Sequence, residues 1–220
     1  MKYDVTLSHK KKFVWYRVPK ACSRTILYFL DQNRCIDFGW PPGYRTVKEE
    51  GYNTEYNTLW DDYFQFAFVR NPFSRLLSAY LDKVQNQNDI PFYDQFIGLS
   101  FKGFLKKISQ LDLDKVRSDC NTFNLIDKHV APQNLIIPLE KLSFIGKQES
   151  FETDFRFICD KIGLDYNFNY VTAHKQPGSD PEKLNTTKHK HYTEYYDDET
   201  REIVAEKYAK DIEHFGYKFK

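Results

Sequence analysis

The chain has 220 residues, of which 41% are apolar, 29% charged and 17% aromatic, enough for one α/β domain with a full, ring-rich core. Its 32 Lys and Arg against 31 Asp and Glu leave a formal net charge of +1, which argues against a dedicated nucleic-acid binder with its basic excess. No run of about 18 apolar residues occurs, so no membrane span is expected.

The amino terminus, M-K-Y-D-V-T-L-S-H-K-K-K, lacks the apolar h-region of a secretory signal. Cys22, Cys35, Cys120 and Cys159 show neither a C-x-x-C pair nor a His at zinc spacing. A reduced, cytoplasmic setting and no disulfide framework are expected from that pattern. There is no internal repeat, low-complexity tract or linker, so residues 1–220 are expected to form a single domain.

In chain order, residues 11–18 read as a first strand, buried on both faces because Phe13, Val14, Trp15 and Tyr16 are contiguous. Ser23 or Thr25 is suited to cap a helix over 25–33. Residues 39–62 are turn-rich and aromatic, a loop region with room for one short helix. F-Q-F-A-F-V (64–69) is a second buried strand.

Asn71 and Pro72 then open a helix, Asn as cap and Pro in the first turn, with Phe73, Leu76, Leu77, Tyr80 and Val84 at helical spacing. A helix over 101–111, a short strand at 142–147 and a helix over 151–164 closed by Gly163 follow. The last helix runs from Asp198 to His214 with Ile203, Val204, Tyr208 and Ile212 facing inward. Strands separated by helices imply a parallel sheet flanked by helices.

Two segments carry chemistry. R-V-P-K-A-C-S-R-T-I (17–26) leads from the first strand into a helix, whose amino-terminal N–H groups and dipole favour an anion. Lys20 adds a point charge there, and Ser23 and Thr25 add hydroxyl donors. The segment does not match G-x-x-x-x-G-K-[ST], and the second strand ends in Arg70 where a nucleoside triphosphatase would need an Asp for magnesium. Alone, it reads equally as a surface lysine at a strand exit.

The second segment is V-R-N-P-F-S-R-L-L-S-A-Y-L-D-K (69–83). Arg70 stands at the carboxyl end of a strand, where open α/β sheets bind ligands, and Ser74 and Ser78 share one helix face. A guanidinium fork with a hydroxyl beside it grips phosphate with defined geometry. Two such seats, each directly after a buried strand, point to a ligand with two separated phosphate groups.

These segments resemble the family-2 sulfotransferases, which include carbohydrate sulfotransferases and heparan sulfate 2-O-sulfotransferase. Two further stretches fit: H-V-A-P-Q (129–133) is similar to the family's His-x-x-Pro-Gln element, and F-I-G-K-Q-E-S-F-E-T-D-F (144–155) to its strand and following helix. The resemblance implies a three-layer, P-loop-like α/β fold with a central parallel sheet. It also implies 3′-phosphoadenylyl sulfate (PAPS) as sulfuryl donor, no metal, and a hydroxylated acceptor, a glycan.

By the same resemblance Pro19, Lys20, Ala21, Cys22, Ser23, Arg24 and Thr25 cradle the 5′-phosphosulfate, with Lys20 neutralising charge as the S–O bond breaks. Arg70 and Ser78 hold the 3′-phosphate. Thr187, Lys188 and Lys190, in the basic loop K-L-N-T-T-K-H-K-H (183–191), contact the adenosine bisphosphate, or else form a solvated loop.

The expected catalytic base is His129, because it lies in the family-like element, or else Glu55, and His129 reads equally as a structural or acceptor-positioning histidine. The 2-O-sulfotransferases carry catalytic histidines between the two phosphate segments, and this chain has none between Lys20 and Arg70, only acids such as Glu49, Glu50 and Glu55. Trp40, Tyr44, Tyr52, Tyr56 and Trp60 are available to stack on sugars or to serve as core or lid. Two rival readings are a kinase using magnesium and ATP through a degenerate loop, and a non-catalytic module that senses adenosine bisphosphate.

Overall fold

The computed structural model describes residues 3–37, 53–86, 91–115, 126–166 and 190–220. They group into two compact units, residues 1–69 with 137–186 and residues 70–136 with 187–220.

The first unit is built on a five-stranded sheet of order β3-β1-β2-β4-β5. β2 (Phe13–Tyr16), β4 (Phe64–Val69) and β5 (Phe144–Lys147) run parallel, as the strand–helix alternation predicts. β1 (Tyr3–Ser8) and β3 (Asn53–Thr54) extend it as an antiparallel edge. The sheet is therefore mixed, and β1 is a strand where the sequence reading has none.

The reason lies in Y-D-V-T-L-S, whose polar alternate residues look like a solvent face but are buried. Asp4 accepts from the Arg17 guanidinium, with Nε at 2.9 Å, and the Asp37 carboxylate caps the following turn through the His9 N–H at 2.6 Å. Polar residues can be buried when each finds a partner.

One sheet face carries Phe13, Trp15, Phe66 and Phe68, placed by the parallel register Phe13↔Phe64, Trp15↔Phe66. Two helices join it: α1 (Ser23–Gln32) through Phe29 on Phe155, and α4 (Phe151–Ile162) through Phe151 and Phe155 on Phe68. Gly146 faces Phe68 across the β4–β5 pair, where an added Cβ would lie 2.7 Å from two atoms of the ring. A side chain there would have to displace a core aromatic. α4 ends at Gly163 in the left-handed region (φ 63), as expected.

The second unit is helical. α2 (Pro72–Tyr80) starts at Asn71, whose Oδ1 accepts from the Phe73 N–H at 3.1 Å, the cap expected from the sequence. α3 (Phe101–Ser109) packs on it through Tyr80 against Phe101 and Phe104. The predicted carboxy-terminal helix is two helices, α5 (Asp198–Lys207) and α6 (Ala209–Phe215), broken at Tyr208 (φ −115, ψ 24). The break lets the Tyr208 hydroxyl donate to the Val130 carbonyl at 2.6 Å and turns Asp211 inward, leaving Ile212 only half-buried. Among the described residues no helix is long and apolar enough to cross a membrane.

Candidate active site

The segment after β2 takes its shape from backbone conformation. Lys20 (φ 68) and Cys22 (φ 58) are both left-handed although neither is glycine, and Ala21 between them is not. Positive-φ residues let a short turn present backbone N–H groups to an anion, although the Ala21 N–H itself donates to the Val18 carbonyl at 3.3 Å. Holding a non-glycine residue there costs on the order of 1 kcal/mol, strain of a kind that collects at ligand sites.

α1 begins at Ser23, two residues before the predicted start, and Cys22 is its cap position without a side-chain bond. Ser23 therefore does not cap. Its hydroxyl donates back to the Val18 carbonyl at 2.7 Å, which ties the helix start to the strand exit. Pro19 and Ala21 are buried, Lys20, Ser23 and Thr25 half-buried, and Arg24 is exposed.

Arg70 follows the last residue of β4 and opens the second unit. Its N–H donates to Gln133 Oε1 at 2.9 Å and its carbonyl accepts from Gln133 Nε2 at 2.8 Å, so one side-chain amide reads both backbone groups. Gln133 is itself fixed by the buried Asp211, which accepts from the backbone N–H groups of Gln133 (2.7 Å) and Asn134 (2.8 Å). Burial pushes the Asp211 carboxyl up from its ordinary range, against those two hydrogen bonds and the nearby Arg75 charge. Arg70 Nε donates to Ser74 Oγ at 2.8 Å, which orients the guanidinium along α2, and Ser78 lies half-buried one turn further on.

His129 stands in the same unit, in the turn leading to Gln133. Its ring Nδ1 lies 2.7 Å from Asp127 Oδ1, and its backbone N–H donates to the same oxygen at 2.9 Å. A carboxylate accepts only, so Nδ1 carries a proton, and whenever the ring is neutral the lone pair is on Nε2. Burial alone would raise the Asp127 carboxyl, but the His129 charge and the hydrogen bonds from His129 and Tyr93 hold it well below the usual carboxylate range. The neighbouring Arg75, fully buried, donates to the carbonyls of Ala131 (2.7 Å) and Lys128 (2.6 Å).

The structure thus places Pro19 to Cys22 in one loop, Ser23 to Thr25 in the first turn of α1, and Arg70, Ser74 and Gln133 around another strand exit. His129 lies on the segment that ends in Gln133, and Lys20 and Arg70 belong to different units. Glu55 is exposed, and Lys190 pairs with Glu194 at 3.3 Å. Thr187 and Lys188, with Glu49, Glu50, Trp40, Tyr44 and Tyr52, lie outside the described residues.

Trp60 is core, and the Tyr56 ring lies under Lys141 Nζ at 4.8 Å. Among the described residues no cluster of three or more His, Cys, Asp and Glu has the arrangement to hold a metal ion. Sequence reasoning gave no role to Gln133, Asp211, Asp127, Tyr93 or Arg75. A usable signal existed for Arg75, which falls on the apolar face of α2 between Phe73 and Leu76, and for Asp127, two residues before His129.

The profile of the sulfotransferase family matches residues 3–218. Among curated proteins the chain is similar to carbohydrate sulfotransferase 10 of Homo sapiens, 30% identical over 175 residues that cover 70% of this chain and 47% of that protein. The Xenopus laevis protein of that name is 28% identical over 177 residues, 72% of this chain and 48% of its own length. The Rattus norvegicus one is 31% identical over 128 residues, 50% of this chain and 35% of its own. The chain spans about half or less of the length of these relatives. No solved structure matches it.

Proposed function

This chain belongs to the sulfotransferase family, and from that premise we propose that it moves a sulfuryl group from PAPS to a hydroxyl of a carbohydrate. The observation that carries the reading is that one family profile runs from residue 3 to residue 218, through both units and both anion-binding segments. It also supports treating residues 1–220 as one functional domain with a P-loop-like, three-layer fold. The carbohydrate acceptor is carried over from the relatives, which are carbohydrate sulfotransferases.

The residues fit the donor. The left-handed turns at Lys20 and Cys22 and the start of α1 suit a phosphosulfate, and the Ser74-oriented Arg70 suits a separate phosphate. When bound, PAPS supplies an activated sulfuryl group with adenosine 3′,5′-bisphosphate as leaving group. Lys20 neutralises the charge that develops on the bridging oxygen. Arg70, with Ser78 further along α2, holds the 3′-phosphate and so fixes the donor in register. Lys190, with Thr187 and Lys188, belongs to the nucleotide contacts.

His129 Nε2 takes the acceptor proton as the oxygen attacks sulfur in line. The contact of its Nδ1 with Asp127 favours His129 over the exposed Glu55 as base.

Calorimetry with adenosine 3′,5′-bisphosphate and with magnesium and ATP, side by side, tests this. The bisphosphate is expected to bind, and Arg70→Ala to weaken it at least about tenfold, the loss of one charge-assisted contact. Lys20→Ala and His129→Ala are expected to keep most of that affinity and to lose most PAPS consumption with a glycan panel, whereas Glu55→Ala keeps it. Tighter binding of magnesium and ATP would make the protein a kinase. Bisphosphate binding with no PAPS consumption on any glycan would make it a sensor.

A further inference from the structure

Around His129 the second unit builds more than a proton acceptor requires. Asp127 is 8% exposed, and one of its oxygens receives three donors: the His129 ring Nδ1 (2.7 Å), the His129 N–H (2.9 Å) and the Tyr93 hydroxyl (2.9 Å). Tyr93 is 1% exposed and sits in the 91–96 turn, so Asp127 is backed from the core. The Asp127 carbonyl accepts from the Val130 and Ala131 N–H groups, both at 3.0 Å. Arg75 holds the carbonyls on either side of His129, and Tyr208 holds that of Val130.

At least seven of the ten backbone N–H and C=O groups from 127 to 131 are therefore tied down, while the His129 side chain keeps 25% of its surface exposed. An imidazole emerges from a sealed, immobilised turn.

A turn-capping carboxylate would explain the N–H contact alone. It would not require the ring nitrogen on the same oxygen, nor a buried phenol behind it. Burying a carboxylate is costly unless each lone pair is used, and Asn would cap the turn without that cost. What a carboxylate adds is charge and acceptor-only chemistry directed at Nδ1.

We propose that Asp127 is the positioning residue of His129, holding the imidazole with its proton on Nδ1 and its lone pair on Nε2, with Tyr93 fixing the carboxylate in turn. The inference rests on the reading of His129 as the acceptor base. As the acceptor O–H bond breaks, its proton passes to Nε2 and the oxygen's electron pair forms the new O–S bond. The bridging S–O bond breaks with its pair leaving on the phosphate oxygen. Asp127 then faces an imidazolium, whose charge it stabilises. Among the described residues, the other ionisable groups packed around this turn include Lys128 beside His129, Arg75 from α2, Tyr93 from the 91–96 turn, and Tyr208 and Asp211 from the carboxy-terminal helices.

The test uses the full chain labelled with ¹⁵N-histidine, with the His129 signals among the six histidines assigned by their loss in His129→Ala. Wild type is expected to show the Nδ1–H tautomer. Asp127→Asn is expected to lower the His129 titration midpoint by about one pH unit and to mix the tautomers, because an adjacent anion has gone. Tyr93→Phe, which keeps the buried ring, is expected to move the midpoint the other way by roughly a few tenths of a pH unit, because the carboxylate loses a donor.

In the transfer assay Asp127→Asn should cost about 10²–10⁴-fold in kcat with KM and bisphosphate affinity unchanged. Adding it to His129→Ala should cost nothing more. An unchanged tautomer and midpoint in Asp127→Asn overturns the inference. Should that variant not fold, an unchanged midpoint in Tyr93→Phe does so. If His129→Ala is inactive while Asp127→Asn keeps wild-type kcat and pH profile, only this inference fails. Full turnover in His129→Ala removes the base assignment and this inference with it.

Discussion

The loop from Arg17 to Thr25 and the turn from Ile126 to Gln133 each present a polar side chain, and they are held in opposite ways. The loop's shape resides in its own backbone, in left-handed Lys20 and Cys22 and in the Ser23 hydroxyl that reaches back five residues to Val18. The turn owes its shape to distant parts of the sequence: Arg75 on α2, Tyr93 at the 91–96 turn, Tyr208 and Asp211 on the carboxy-terminal helices. A locally encoded loop can tolerate changes elsewhere in the chain but not in its own dihedral angles. A turn braced from afar should show the reverse.

The largest expected effect comes from removing the brace. Arg75→Met keeps much of the side-chain volume but leaves the Lys128 and Ala131 carbonyls without their donor, and Asp211 and Asp127 without a buried counter-charge. Removing one partner of a buried charged network costs about 3–5 kcal/mol. Urea unfolding should show that loss. At temperatures where the variant is still folded, His129 should lose its single tautomer. A variant as stable as wild type would mean that the turn holds itself, and the contrast between the two regions would disappear.

The same contrast explains what was legible in the sequence. F-V-W-Y and F-Q-F-A-F-V announce buried strands because contiguous apolar residues need no partner to be recognised. Asn71-Pro72 and Gly163 mark helix ends by chemistry confined to a few residues. Lys20 and Arg70 stand out because each follows such a strand. Gln133, Asp211 and Arg75 gain their roles from bonds to residues 63, 78 and 56 positions away, and no local pattern encodes those pairings. β1 is hidden for a related reason, since Asp4 is tolerable in the interior only once Arg17, the residue just after the next strand, is beside it. Tyr208 ends α5 by its bond to Val130, which helical periodicity does not register.

A middle-sized effect is expected from pH. The Asp127 carboxyl is depressed in the folded protein, so its contribution to stability is present above its unfolded value of about 3.9 and is lost as pH falls below it. Charge-assisted hydrogen bonds of this kind contribute about 1.5–3 kcal/mol. Asp127→Asn should therefore be less stable than wild type by that order at pH 6 in urea unfolding, and the difference should narrow by pH 3. A difference that is constant with pH would show that the carboxylate's charge is not what steadies the turn.

The smallest effect, and the sharpest test of the locally built loop, is at Cys22. Its φ of 58 and ψ of 14 sit in the left-handed region at the cap position of α1. Glycine adopts that region freely, but as glycine it also gains entropy in the unfolded chain, so Cys22→Gly should range from neutral to about 1 kcal/mol more stable. Valine is β-branched and disfavours the region most, so Cys22→Val should lose about 1–2 kcal/mol. The functional consequence should be larger than the energetic one, because a valine that pushes residue 22 out of the left-handed region also reorients the backbone at the start of α1. Adenosine bisphosphate affinity should then fall in Cys22→Val and persist in Cys22→Gly, while His129, braced through other residues, keeps its tautomer in both. Equal affinity in the two variants would mean that side chains such as Lys20, and not the backbone, make the anion seat, and the loop would then resemble the turn it is contrasted with.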